Sequence, residues 1–399
     1  MNKEIKWTKN NMKLKDQEVG NTPLIDEKTS EEVKNFHSSF EEYQVTPLRH
    51  LGYFSESVGI KKVLVKDESY RFGLNAFKVL GAAYAMGKTL AQRLGKSIDE
   101  LPFSVLKSPE VKKELGEVAF LSTTDGNHGR GVAWTANQLG QKASIFMPKG
   151  TTQNRLNHIL KLGANAEITD YNYDDTVRWM VEEGKKTNAE IIQDTAWEGY
   201  EDVPRWIMQG YSTVAKETIE QLGDKQPTHI FLQAGVGAFA AIMTSIFINH
   251  YKDNPPKIII LEANQADCFY QSIQEEKVIP VTGDLNTIMA GLACGEPNPL
   301  AWEILSTNAD VFVSVPDWVS AKGMRILGNP LSTDPKVISG ESGAVGVGLL
   351  SVLNLDENKA LKEALEIDED SIVLNFSTEG DTDANTYREI VWDGKYPME

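Results

Sequence analysis

Three short stretches of this 399-residue chain gather residue types that do chemistry on small molecules. In SYRFGLNAFKVLGA (69–82), Lys78 heads a predicted long helix, after a Gly-Leu-Asn loop and between the apolar Phe77 and Val79. A helix N-terminus carries partial positive charge, so an ammonium there is electrostatically misplaced. One reading is a surface lysine that snorkels to water. The other is a lysine whose charged form is destabilised by burial and positive potential, which frees its amine for a Schiff base. In STTDGNHGRGVA (122–133), Thr124, Asp125, Gly126, Asn127 and His128 occupy a strand-to-helix junction. Small polar residues and a glycine at such a junction form an anion nest, with backbone N–H groups and the helix dipole aimed at a carboxylate or phosphate. Asp125 would repel that ligand unless it addresses a cationic part of the same molecule. His128 reads as a capping or packing histidine, because no second histidine or cysteine stands at metal-ligand spacing.

The third stretch, QAGVGAFAAIMTS (233–245), is again strand, turn and helix, and Gly235 and Gly237 would let the backbone approach a phosphate. Ala240 completes G-x-G-x-x-A, and Glu262 ends the next predicted strand, so a dinucleotide site is a rival reading. Against it, the motif lies mid-chain and a dehydrogenase gives Lys78 no task. Asp194, in QDTAW after a buried run, reads either as a turn or N-cap residue or as a partner for a cation.

The elements that must position these residues alternate. Short β-branched runs at 61–67, 117–123, 141–148, 189–194, 228–234, 256–263, 311–317 and 371–378 read as strands buried on both faces. Helical patterns at 76–95, 128–140, 152–164, 174–187 and 206–223 lie between them, mostly closed by glycine. The repetition predicts an α/β fold of two domains, each with a mainly parallel twisted sheet flanked by helices. YEDVPRW (200–206), with its proline and charges, reads as a crossover. The division expected is a large domain of residues 1–80 and 206–399 around a smaller inserted α/β domain, 81–205.

With 57 Asp+Glu against 40 Lys+Arg, the formal net charge is −17, which argues against DNA or RNA as a partner. The first twenty residues are polar, and no window reaches the roughly 18 uncharged apolar residues of a membrane span, so the chain reads as cytoplasmic. Cys268 and Cys294 are the only cysteines, too few for a Cys-rich zinc site, and no metal is expected. They read as two reduced thiols or, since both segments look like loops, as a disulfide.

Taken in order, these features resemble the fold-type II pyridoxal-phosphate enzymes, the tryptophan synthase β and threonine dehydratase group, and within it the diaminopropionate ammonia-lyases. KDESYRFGLNAFKVLGA, TTDGNHGRGVAW, QDTAWEGYEDVP, MAGLACGEP and STEGDTD carry the resemblance, from about residue 46 to residue 383. It implies pyridoxal 5'-phosphate, bound between the two domains at the carboxyl ends of the strands, and a homodimer. Lys78 would hold the cofactor as a Schiff base and act as a base. Asn127 would bond the ring oxygen, and Gly235, Val236, Gly237 and Ala238 would cradle the phosphate, with fewer glycines than the family's richest loops. Ser377 or Thr378 would face the pyridine nitrogen, where a hydroxyl does not enforce ring protonation and so favours elimination over transamination. MAGLACGEP, with Cys294, would lie near the cofactor.

Thr124, Asp125, Gly126, His128 and Asp194 would contact the substrate. Where the dehydratases carry a second Ser or Thr before Gly-Asn-His, this chain has Asp125. Together with Asp194 it implies a substrate with a second ammonium, 2,3-diaminopropionate, split to pyruvate and two ammonia. Lys78 and Asp125 would be bases on opposite faces, serving both enantiomers, while Asp194 holds an ammonium. The rivals are a threonine or serine dehydratase and a nicotinamide oxidoreductase.

Overall fold

In the computed structural model, which describes residues 4–14, 24–124 and 126–398, the strands are β1 (Lys6–Lys9), β2 (Leu48–His50), β3 (Lys62–Asp67), β4 (Ala119–Thr123), β5 (Lys142–Met147), β6 (Asn165–Ile168), β7 (Glu190–Ile191), β8 (His229–Gln233), β9 (Lys257–Ala263), β10 (Val311–Val315) and β11 (Ile372–Ser377). They form two sheets, one in each of two compact units. The larger unit comprises Met1–Leu24, Thr46–Tyr70 and Glu217–Glu399, and the smaller one Ile25–Val45 and Arg71–Lys216.

The larger unit's sheet runs β1-β10-β9-β8-β11-β3-β2, parallel except for its two edge strands. Val63, Val65, Phe231, Ile259, Leu261 and Val313 fill the core against it. The apolar runs read from the sequence are its central strands. The edges escaped that reading because they lack the pattern: β1 is KWTK and β2 is LRH, and polar residues suit an edge that must not recruit another chain.

The smaller unit's sheet, β6-β5-β4-β7, is wholly parallel. Its strands are less buried than predicted: β5 alternates, and β7 is only two residues long, leaving Gln193 and Asp194 beyond its end. Residues 206–223 do not form one helix, since Asp202–Gly210 and Ser212–Leu222 are separate. YEDVPRW lies in the connection from β7 of one sheet to β8 of the other, as a crossover should, and Pro204 falls in the first turn of a helix there, where its missing N–H costs nothing. That helix packs on Val79–Leu94 so closely that a Cβ at Gly210 would lie 2.7 Å from Gly81 Cα. This contact keeps Asp202–Gly210 with Val79–Leu94, and the units divide at 70/71 and 216/217 rather than at the expected 80/81 and 205/206, with residues 25–45 in the smaller one.

Inside the larger unit, Lys66 on β3 and Glu217 form a fully buried ion pair (Nζ to Oε2, 2.8 Å). Lys66 Nζ also donates to Thr46 O and Gln221 Oε1, both at 2.9 Å, and the Thr46 hydroxyl donates to Glu68 Oε1 at 2.6 Å. Thr46, Glu68 and Glu217 stand at or next to the points where the chain leaves this unit. Lys66→Met should cost about 3–5 kcal/mol, because it strands a buried carboxylate. Urea midpoints check this, and adding Glu217→Leu should recover most of the loss.

Candidate active site

Lys78 immediately precedes the Val79–Leu94 helix and has helical angles (φ −60°, ψ −19°). The chain reaches it through Asn75, whose φ of 61° is one that asparagine tolerates. Its neighbours Phe77 and Val79 are buried, yet the lysine side chain is 20% exposed, so it neither snorkels freely nor is sealed away. A Cβ at Gly131 would lie 2.8 Å from Val79 Cα, so the Asn127–Gln138 helix passes against the backbone beside Lys78.

Lys78 Nζ donates to Asp194 Oδ2 at 3.2 Å. The Asp194 side chain is only 5% exposed, and its Oδ1 accepts from the Tyr173 hydroxyl and from Gln193 Nε2, both at 3.3 Å. Gln193 braces this carboxylate. Its Nε2 also donates to the Tyr173 oxygen (2.8 Å), and its Oε1 accepts from the Thr123 N–H (2.9 Å). The Gln193 N–H donates to the Tyr200 hydroxyl, which donates to Ile191 O, and Trp197 stacks on Tyr200 at 4.1 Å. Burial works to raise the Asp194 pKa. The charges of Lys78 and His128 and the hydrogen bonds from Lys78 and Tyr173 outweigh it, holding the carboxyl below its ordinary value.

In the loop after β4, the Thr124 hydroxyl oxygen accepts from the Gly126 N–H (2.9 Å) and the Gly129 N–H (3.1 Å), so it shapes the turn and caps the helix that Asn127 begins. His128 is buried, and its Nε2 pairs with Ile192 O at 2.8 Å. A carbonyl only accepts, so Nε2 carries the proton and ties this helix to the segment that bears Asp194. Asp125 lies outside the described residues.

In the larger unit, Gly235–Ala238 follows β8 and leads into the helix Ala238–His250. Gly237 has φ 87°, and a Cβ there would strike the Phe269 ring, so only glycine serves. Val236 O accepts from the Asn298 N–H (2.9 Å), and a Cβ at Gly235 would lie 2.9 Å from Gly291 O and 3.3 Å from Cys294 Sγ. MAGLACGEP thus walls the Gly235 loop. The helix's first N–H groups have no partner within the helix, and its dipole favours an anion. At the end of β11 the buried Ser377 hydroxyl donates to Ser339 Oγ at 2.8 Å, while Thr378 Oγ1 accepts from Gln233 Nε2 at 2.9 Å.

Two expectations change. Glu262 is not poised for a ribose: it is fully buried and both oxygens accept backbone N–H groups, from Phe269 (2.8 Å) and Tyr270 (2.7 Å). Burial pushes its pKa well above the usual range. Cys268 opens the helix Cys268–Gln274 instead of lying in a loop, and the two cysteines form no disulfide, in line with the reduced-thiol reading. The sequence reading also passed over Tyr173, Gln193 and the segment SGESGA (339–344). A Gly- and Ser-rich run before the apolar VGVGLL was the only signal for the last.

A partly exposed lysine paired with a buried carboxylate, a glycine turn leading into a helix N-terminus and a hydroxyl at a strand's carboxyl end are parts that a pyridoxal-phosphate enzyme can use. Residues 40–378 match the family described as pyridoxal-phosphate dependent enzyme, and the chain belongs to that family. Among its relatives, the diaminopropionate ammonia-lyase of Escherichia coli (strain K12) is 49% identical over 381 residues, 94% of this chain and 94% of its own. Crystal structures of Escherichia coli diaminopropionate ammonia lyase in complex with D-serine and with an aminoacrylate-PLP azomethine reaction intermediate match at TM-scores of 0.92 and 0.91. They are 47% and 46% identical, covering 98% and 99% of this chain and the same shares of theirs. An L-threonine ammonia-lyase of Geobacter sulfurreducens is more distant, at 26% over 270 residues, 68% of this chain and 58% of its own. The nicotinamide reading is thereby overturned, as the environment of Glu262 already argued.

Borohydride reduction followed by peptide mapping should find the pyridoxyl group on Lys78 alone. The depressed pKa of Asp194 has a second consequence. The stabilisation it gives is complete above the unfolded carboxyl value of about 3.9 and is lost as pH falls through the lower folded value. Asp194→Asn should therefore flatten the fall of the urea midpoint below about pH 4.

Proposed function

We propose that this protein catalyses α,β-elimination of 2,3-diaminopropionate to pyruvate and two ammonia, as a carbon–nitrogen lyase of amino-acid degradation. The observation that carries this reading is the ion pair of Lys78 with the buried Asp194. A carboxylate held ionised in a poorly hydrated place, with Tyr173 and Gln193 fixing its other oxygen, is already arranged to receive an ammonium. A substrate with a β-amino group offers a second ammonium to take the place of the lysine's. A hydroxy amino acid offers none. The names of the relatives, and the aminoacrylate in one of their structures, agree with that chemistry.

The cofactor, when bound, supplies the electron sink for the charge left at Cα as its proton departs. The chain supplies the rest. Lys78 Nζ, released from Asp194 by the incoming ammonium, takes the α proton from its side, and Asp125 would take it from the opposite one. Asp194 holds the β-nitrogen and keeps it charged until it leaves as ammonia. The 2-aminoacrylate released takes up water and gives pyruvate and the second ammonia. Ser377 or Thr378, the Gly235–Ala238 turn and Asn127 would hold the bound group. A cytoplasmic homodimer completes the reading; among the described residues, no helix is long and apolar enough to cross a membrane.

A charge-assisted contact is worth roughly 1.5–3 kcal/mol, so Asp194→Ala should lower kcat/KM for diaminopropionate about 10- to 150-fold with the cofactor spectrum intact. Wild-type turnover of diaminopropionate well above that of serine and threonine would separate this reading from a dehydratase; the reverse order would overturn it. Asp125→Asn should suppress turnover of the D-enantiomer far more than that of the L-enantiomer. Equal losses would make Asp125 a shared binding group instead of a second base.

A further inference from the structure

We propose that Ser339 is a positioning residue for Ser377, setting the direction of its hydroxyl toward the cofactor's ring nitrogen; this rests on the reading that Ser377 faces that nitrogen. Both serines are fully buried, and their oxygens are 2.8 Å apart. Every other acceptor is poor: Ser377 also points to Glu379 O, and Ser339 to Gly340 O, each at 3.4 Å, the limit of a useful hydrogen bond. The approach of the two segments is built in. A Cβ at Gly343 would lie 2.8 Å from both Ser339 Oγ and Thr378 N and 3.1 Å from Ser377 Cα, and the Gly340 N–H donates to Glu379 O at 2.9 Å. Thr378 has a different partner, because its oxygen accepts from Gln233. Of the two hydroxyls at the end of β11, only Ser377 is paired with a group that can both give and take a proton.

A hydroxyl donates once and accepts twice. At 2.8 Å the Ser377 hydroxyl can donate to Ser339, whose own proton can turn to Gly340 O. When Ser377 turns its proton to the ring nitrogen, Ser339 can rotate and donate to the Ser377 oxygen in return. No bond to hydrogen breaks; two O–H groups reorient together, and Gly340 O, which gives up the long Ser339 contact, keeps the Ala344 N–H at 3.1 Å. With Ser339 absent, the proton of Ser377 falls to the Glu379 carbonyl, and turning it to the ring leaves the serine oxygen alone, at the cost of burying an unpaired polar group.

The test uses the holoenzyme without substrate, so it is independent of which amino acid the enzyme consumes. Ser339→Ala should change the ratio of the bound cofactor's visible to near-ultraviolet absorption bands, and weaken cofactor binding, by about 2- to 10-fold, the size of one neutral hydrogen bond. In a Ser377→Ala background the same substitution should add nothing to either readout, since Ser339 acts only through Ser377. Equal effects in both backgrounds would overturn the proposal, as would a Ser339→Ala enzyme that matches the wild type while Ser377→Ala does not. If Ser377→Ala itself changes neither readout, the placement of Ser377 falls and the proposal falls with it. Ser339→Cys, which fills the same space with a poorer hydrogen-bonding group, should give an intermediate shift and serves if the alanine variant does not fold.

Discussion

The candidate active site depends on keeping a carboxylate ionised where water is scarce. Removing Asp194 from solvent opposes its charge, and the charges of Lys78 and His128 with the hydrogen bonds from Lys78 and Tyr173 reverse that penalty. Such a carboxylate is committed to cations. It can exchange one ammonium for another, but it cannot stand alone without a cost of several kcal/mol. On the proposed function, substrate preference and the resting position of the lysine are then two aspects of one electrostatic requirement. An ammonium must always be present, and the substrate can bring its own.

That requirement makes the rest of the smaller unit a matter of tolerance. The lysine and its partner come from distant points in the chain, and a side-chain contact at 3.2 Å survives only if both backbones are fixed. On one side the glycine contacts do this, at Gly131 against Val79 and at Gly210 against Gly81, where helices meet backbone to backbone. On the other, Asp194 has left its two-residue strand and is held by side chains instead: Gln193 to Thr123 and Tyr173, Tyr200 to both Gln193 and Ile191, and His128 to Ile192. Substitutions at Tyr200 or Gly210 should therefore act on the chemistry through position, without touching a ligand.

Much of this was legible from residue types. Lys78, the loop around Asn127 and the Gly235 turn announce themselves because each needs a rare local arrangement, and buried parallel strands write continuous apolar runs. What stayed hidden obeys no local rule. β1 and β2 are strands only because a neighbour offers them a ladder. The unit boundary at 216/217 falls inside the helix Ser212–Leu222, where no composition shift marks it. Ser339 gains its meaning from Ser377, far along the chain, and nothing in SGESG specifies that pairing. Glu262 shows the converse. It stands where a dinucleotide-binding acid should, yet it caps the helix that follows its own strand.

The two lysine–carboxylate pairs make the limit of sequence reading concrete. Lys66–Glu217 and Lys78–Asp194 are alike in chemistry, and Lys66 sits in KDES as inconspicuously as Lys78 does in AFKV. What separates them is the use of protons. Lys66 has no exposed surface, and its three N–H groups answer a carboxylate, a backbone carbonyl and an amide oxygen, so deprotonation would strand an acceptor. Lys78 retains a fifth of its side-chain exposure, and its bonded carboxylate can be satisfied by a visitor. A lysine that must bond covalently to a carbonyl carbon has to be able to give up its charge, and only a partner that accepts a substitute permits that. On the proposed reading, the reactive lysine is thus marked less by its own surroundings than by how replaceable it is to its partner.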